Sequence, residues 1–225
     1  MANTETTINA VMHPQPNKTP IDIEKTIKTL ERNKFVVHYF ETGAEAVAYL
    51  KNRIQNKCVA IGDSRTLLEI GVHDALSEVN EDITDIQRPL PGESFRDTAL
   101  RTMGRDVFLT SVNALSQTGE MVNIDGTGNR VAASLFGSQE VFFVLGINKI
   151  TPDLASAIYR ARNVAAPLNS KKNKKSSLNP CATLDEKCYD CGSPDRICNA
   201  LTIYYKKMRN MQTMEIIIIN ESLGF

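Results

Sequence analysis

Residues 106–150 read DVFLTSVNALSQTGEMVNIDGTGNRVAASLFGSQEVFFVLGINKI. The stretch opens on an apolar run at 107–111 and closes on a longer one at 141–146, each the length of a strand and too short for a buried helix. Between them, 108–111 and 121–125 are expected to flank a turn at Thr118-Gly119. A glycine-bearing loop at 126–130 then leads into a short apolar segment at 131–136. The same alternation continues outward on both sides. Upstream, helical patterns at 21–33, 43–54, 65–79 and 95–103 are interleaved with strand-like runs at 35–40, 58–62 and 83–87, with a turn-prone RPLPG at 88–92. Downstream, a helix is expected at 152–165, with Pro152 near its start, another at 201–208, and a last strand at 214–219. Repeated strand–helix alternation predicts an α/β fold, a mostly parallel sheet flanked by helices.

The pattern lapses at 169–179, NSKKNKKSSLN, which has little capacity to bury a core and reads as a linker or exposed loop. A cysteine-rich segment follows it. If the strand at 214–219 rejoins the main sheet, that segment is an insertion and not a tail. Four regions result: a polar leader at 1–20, an α/β domain at 21–168, a lysine-rich loop with the cysteine cluster at 169–200, and a closing helix and strand at 201–225.

Composition narrows the function classes. Lysine plus arginine total 26 and aspartate plus glutamate 26, so the chain has no basic excess with which to neutralise a phosphate backbone. This argues against a dedicated nucleic-acid binder. The first twenty residues lack the apolar core of a secretory signal, and the longest apolar runs fall well short of a membrane span. A cytoplasmic protein is expected.

Four of the five cysteines, Cys181, Cys188, Cys191 and Cys198, form the pattern C-x6-C-x2-C-x6-C. Thiolates are soft ligands, and four of them close a tetrahedral zinc site or hold an iron–sulfur cluster. The Cys188/Cys191 pair is spaced to chelate through one tight turn. Pro180, Gly192 and Pro194 favour turns that point the thiolates inward. Disulfides are disfavoured in a reducing compartment. The segment is too polar for four cysteines acting as core fillers, whereas Cys58, in an apolar run, reads as one. The spacing matches neither the bacterial ferredoxin run nor a zinc ribbon, so it leaves iron–sulfur and zinc both open.

In the loop Asp125-Gly126-Thr127-Gly128-Asn129-Arg130 the glycines permit close approach of the backbone to a ligand, and successive N–H groups there are able to cradle an anion. Arg130 adds a forked donor. A dinucleotide fingerprint needs glycine where Val131 stands, and an EF-hand needs glycine where Arg130 stands. The plainer reading is a tight turn. A second loop, Gly62-Asp63-Ser64-Arg65-Thr66, falls one residue short of the hydrolase elbow because position 66 is threonine. With three histidines (His13, His38, His73) and none beside a recognisable partner, Ser64 or Thr66 reads better as a helix cap than as a nucleophile.

The motifs S-x-N-A-L-S at 111–116, T-G-x-x-V-N-x-D-G-x-G-N-R at 118–130 and G-x-N-K-I at 146–150, with the earlier G-x-S-x-T-x-x-E-x-G at 62–71, resemble the LUD (lactate-utilisation) domain family, formerly DUF162. The resemblance spans roughly 20–165 and the final strand. It implies a fold similar to the sugar-phosphate isomerase and CoA-transferase superfamily, and a link to bacterial lactate oxidation alongside iron–sulfur proteins. The sequence around the cysteines looks like a subset of the family with its own cluster motif, which favours a [4Fe–4S] cluster over zinc. Carrying the superfamily site across implies that Ser64, Thr66, Asn113, Gly126, Gly128, Asn129, Arg130, Asn148 and Lys149 surround a small anionic metabolite. Lys149 and Arg130 would supply the charge and Glu69 would be the acid/base candidate. The expected partners are that metabolite, an iron–sulfur redox protein and a second copy of the chain in a homodimer. The alternative is a small-anion binder, or an isomerase- or transferase-like protein, braced by structural zinc.

Overall fold

In the computed structural model, which describes residues 19–173, 176–185 and 187–225, six strands form one parallel sheet. They are β1 (Val36–Phe40), β2 (Cys58–Ile61), β3 (Asp82–Asp85), β4 (Val107–Thr110), β7 (Glu140–Gly146) and β10 (Thr213–Ile219). Their order is β1-β10-β7-β4-β2-β3, so the last strand of the chain lies between the first and the seventh. Register pairs Val36 with Glu215, Met214 with Val141, and Val107 with Glu140. Four shorter strands, β5 (Ala114–Ser116), β6 (Met121–Asp125), β8 (Ile150–Thr151) and β9 (Ala200–Tyr204), make a second, mixed sheet in the order β8-β5-β6-β9.

The continuous apolar runs are explained by burial on both faces. Val141, Phe143 and Leu145 of β7 and Ile216 and Ile218 of β10 point into one core with Leu30, Phe108, Leu115 and Tyr204. Phe142, Val144, Ile217 and Ile219 point into the opposite core with Ala46, Leu50, Ile54 and Leu67. The helices α1 (Ile23–Arg32), α2 (Gly43–Arg53), α3 (Arg65–Glu69), α4 (Val72–Ser77) and α5 (Phe95–Arg101) accompany the first half of the chain. Of these, α1 closes the first core, and α2, α3 and α4 close the second. Each main start is capped: Asp22 Oδ1 accepts from Lys25 N at 2.9 Å, and Thr42 with Glu45 forms a reciprocal capping box. The second sheet turns Leu115 and Met121 toward the first core. Its other face, with Ala114, Val122 and Ile124, meets α7 (Leu154–Arg160) and the helical residues beyond it.

Four local expectations are corrected. The partner of 121–125 in the hairpin is β5, while 107–110 belongs to the large sheet; three residues are too few to register as a strand in the sequence. The helix expected over 65–79 breaks at Gly71, whose φ of +70° no right-handed helix accommodates. The helix expected to end at 165 instead passes through a π turn at Ala161–Ala165 into α8 (Ala166–Lys172). Pro167 lies just beyond that π turn; a proline has no N–H to return to the preceding turn, and the wider turn relieves the mismatch. The segment 201–208 is not helical: Ala200–Tyr204 pairs antiparallel with β6, which otherwise presents an open edge, and its threonine, isoleucine and tyrosine suit a strand.

Of the linker read at 169–179, Asn169–Lys172 is helix, and Ser170, Ser176 and Asn179 are buried; residues 174 and 175 lie outside the described residues, as do 1–18 of the polar leader. Among the described residues no helix is long and apolar enough to cross a membrane. The remaining helices are α6 (Asn129–Leu135), which follows the glycine loop, and α9 (Pro180–Thr183), in the cysteine segment.

Candidate functional site

Three neighbouring strands of the large sheet release their C-terminal ends on the same side: β2 into Gly62-Asp63-Ser64, β4 into Ser111-Val112-Asn113, and β7 into the tight turn Ile147–Lys149. Open parallel sheets bind ligands at such ends. Here the loops meet the β6–α6 loop and α8 around a cleft of about 410 Å³. Six residues that the family motifs point to line it: Ser64, Asn113, Gly126, Asn129, Arg130 and Lys149. Four basic side chains on the wall (Arg65, Arg130, Lys149, Lys172) face two carboxylates (Asp63, Asp125), a bias toward anions.

Lys149 is the unusual member. It is 4% exposed, and its Nζ donates to Thr66 Oγ1 at 2.9 Å and to Ser111 Oγ at 3.0 Å. Among the described residues no carboxylate lies within ion-pair reach of it. Burial, with Arg160 and Arg130 nearby and Glu69 only partly offsetting them, pushes its pKa down to about 7. Arg160 donates to the Asn148 carbonyl at 3.0 Å and to that of Asn113, and burial lowers it to about 10, so it stays charged at neutral pH. Thr66 therefore stands behind the cleft wall as an acceptor for the lysine. Ser64 is the N-cap of α3, its Oγ accepting from Leu67 N at 3.3 Å, while its residue still lines the cleft.

The glycine loop departs from the anion-cradle expectation. Its amides are already occupied by an internal anion: Asp125 Oδ1 accepts from Thr127 N at 3.1 Å and Gly128 N at 2.9 Å, and Oδ2 from Val131 N at 3.3 Å. Arg130 Nε lies 3.6 Å from the same carboxylate, and Arg130 Nη2 reaches Asn113 Oδ1 at 3.3 Å and the Ile124 carbonyl. A carboxylate so held leaves those three N–H groups unavailable to an incoming anion. Gly128 is thus a turn residue of the loop and does not line the cleft.

Two further candidates serve the C-terminal segment. Asn148 Oδ1 accepts from Leu223 N at 3.1 Å, and Glu69 pairs with Arg65 at 2.7 Å and accepts from Gly224 N at 2.7 Å. Neither lines the cleft. The segment they hold was not singled out by the sequence, yet Phe225 lines the cleft and a Cβ on Gly224 would meet Thr66 Oγ1 at 2.5 Å. Ser111, Arg160 and Lys172 were also missed. Ser111 alone had a signal, as the first residue of the S-x-N-A-L motif. His38 and His73 are bound elsewhere, to Tyr49 at 2.8 Å and Asp85 at 2.8 Å; His13 lies outside the described residues.

The cysteine segment forms part of the same wall. Ile197 lines the cleft, its backbone lying against Gly126, where a Cβ would meet Ile197 O at 3.0 Å. Asn199 bonds to the carbonyls of Asp125 and Gly126 at 3.0 and 2.9 Å. Buried Asn179 ties the segment together through Ser170 at 3.1 Å, Asp195 at 3.2 Å and Ser193 at 2.5 Å. All four motif cysteines are half-buried free thiols. Burial raises the Cys181 thiol, and Cys191 and Cys198 are near enough to raise it further. Arg162 Nη2 lies 3.6 Å from Cys188 Sγ, to which Asp190 N also donates at 3.4 Å, and Arg196 holds the carbonyls of Cys191 and Cys198. Yet among the described residues no three His, Cys, Asp or Glu side chains converge as a metal would require, so the thiols are neighbours and not a closed set of ligands.

A family model described as the LUD domain matches residues 23–219, the α/β fold and the cysteine segment together. A crystal structure of a DUF162 family protein from Deinococcus radiodurans, at 1.70 Å resolution, is similar in fold, with a TM-score of 0.51 and 12% identity over 89% of this chain and 99% of that one. No curated protein matches the chain significantly.

Proposed function

The chain belongs to the LUD domain family, associated by name with lactate utilisation, and from that premise we propose that its cleft binds a small organic anion of lactate-type metabolism. One observation carries the reading: a buried lysine with hydroxyl partners and no carboxylate, set at the strand ends of a cleft whose wall is biased to positive charge. An anion entering there supplies the counter-charge that the fold withholds from Lys149 and Arg160. With the glycine-loop amides spoken for by Asp125, recognition rests on Lys149, Arg65, Lys172 and the Asn113 side chain.

The proposal includes an iron–sulfur cluster held by Cys181, Cys188, Cys191 and Cys198. The residues fit in kind: four free thiols, two arginines to offset their charge, and an N–H donor on one sulfur. Bound there, the cluster would supply one-electron chemistry to a redox partner. The contacts of Ile197 and Asn199 with the glycine loop equally suit a zinc brace for the cleft wall.

A thermal-shift series with lactate, CoA thioesters and sugar phosphates tests the cleft; stabilisation by lactate is expected, and no response to any of them sinks the anion reading. Metal content after oxygen-free purification tests the segment. Iron and sulfide are expected, with their loss in Cys188→Ser. One zinc per chain without iron would replace the redox reading with the brace, and unchanged metal in Cys188→Ser would remove the four-cysteine assignment altogether.

A further inference from the structure

Lys149 has more to offer than charge. An amine held neutral has two N–H bonds and one lone pair. Here both hydrogens have acceptors, Thr66 Oγ1 at 2.9 Å and Ser111 Oγ at 3.0 Å, so the lone pair is what remains. Those acceptors sit on two different elements, Thr66 within α3 and Ser111 at the end of β4, and both are buried, which fixes the amine from two sides. A lysine placed only to pair with a carboxylate gains from being charged. This one is surrounded instead by features that favour the free base: burial outweighs all else, Arg130 and Arg160 lie nearby with Glu69 only partly offsetting them, and among the described residues no carboxylate lies within ion-pair reach.

Resting on the reading of the cleft as an organic-anion site, we propose that Lys149 is a nucleophile that captures a carbonyl-bearing carboxylate, a 2-oxo acid, as an imine. The nitrogen lone pair attacks the carbonyl carbon while the C=O π pair moves to oxygen, giving a carbinolamine once a proton passes from nitrogen to oxygen. The C–O bond then breaks as the nitrogen pair forms C=N. The amine's two hydrogens and the carbonyl oxygen leave as water, and no oxidant or reductant is consumed. The carboxylate of the same molecule is met by Arg65 and Lys172 on the cleft wall, which selects a 2-oxo acid over a neutral ketone. Thr66 and Ser111 orient the amine and do not touch the ligand's carbon.

The test is reductive trapping with pyruvate as the carbonyl probe and lactate, its alcohol counterpart, as the control. The full chain is incubated with each in the presence of cyanoborohydride, and intact mass and peptide mapping are read alongside the thermal shift. One reduced pyruvate adduct per chain, mapped to Lys149 and absent with lactate, is expected. Peptide mapping of the unaltered chain identifies the site without relying on a variant. Lys149→Arg, if folded, should lose the adduct. Stabilisation by pyruvate with no adduct overturns the imine and leaves the anion site standing. No adduct and no stabilisation by either acid overturns both. Adducts scattered over surface lysines without preference for Lys149 also overturn it.

Discussion

Burying an amine costs free energy in proportion to how much of the time it is charged, and Lys149 shows where the cost falls. Its proton is held with a pKa of about 7 in the folded chain against 10.5 when exposed. Below about pH 7 both states carry the proton and the folding penalty is largest. Between there and about 10.5 only the unfolded state carries it, so folding gains stability as pH rises through that window. Arg130, Arg160 and Glu69 face the amine, and Arg160, lowered by burial to about 10, keeps its charge across most of that window. A Lys149→Met chain lacks this term, so its melting temperature relative to the unaltered chain should fall steadily from pH 7 to pH 10. A difference that stays flat with pH would show that the amine is not held neutral. Asp125 is the complementary case, a carboxylate whose three amide donors were expected to serve a ligand. Asp125→Ala leaves those amides without their acceptor and Arg130 without its anion, and should cost about 1–2 kcal/mol in urea unfolding. A cost near zero would mean that water replaces the carboxylate freely.

Among the elements, the turn after β7 and the C-terminal segment form one unit. Ile147 N donates to Glu221 O at 3.1 Å, Asn148 holds Leu223, and Glu221 Oε1 accepts from Gly43 N at 3.0 Å at the start of α2. Gly146 allows this approach: a Cβ there would stand 2.4 Å from Glu221 O and 2.7 Å from Leu223 N. Backbone cannot give way as a side-chain tip does, so Gly146→Ala should destabilise by about 2–3 kcal/mol. It should also raise amide exchange at Leu223 and Gly224; unchanged exchange there would mean that the segment is held from elsewhere. In the sequence, Gly146 stood out only as part of the G-x-N-K-I motif, because its partner lies 75 residues further on. The strand β9 shows the same limit: its five residues are compatible with helix or strand until the open edge of β6 decides between them.

At the scale of the whole molecule, β10 enters the sheet between β1 and β7, so the pairing of the edge strand joins residue 36 to 215 and waits for β10, near the end of the described chain, to form. Such long-range pairing pays loop-closure entropy before it is rewarded, and the observed refolding should run on a millisecond-to-second scale. Tyrosine fluorescence in stopped flow, with no tryptophan to interfere, reads it; complete refolding in microseconds would contradict the topology. Much of this architecture was written locally. Runs such as VFFVLG and EIIII carry their burial with them, Ser64 caps its helix as its loop suggests, and the motif at 111–130 names the family. Periodicity and capping depend on neighbours within a turn or two, and so survive without the fold. The state of Lys149, the turning of Asp125 onto its own loop and the diversion of Asn148 and Glu69 to the C-terminal segment depend on groups 38 to 155 residues apart, or on a choice between ligand and self that composition does not encode. Distance and desolvation are sums over the folded surroundings, and only the tertiary structure supplies their terms.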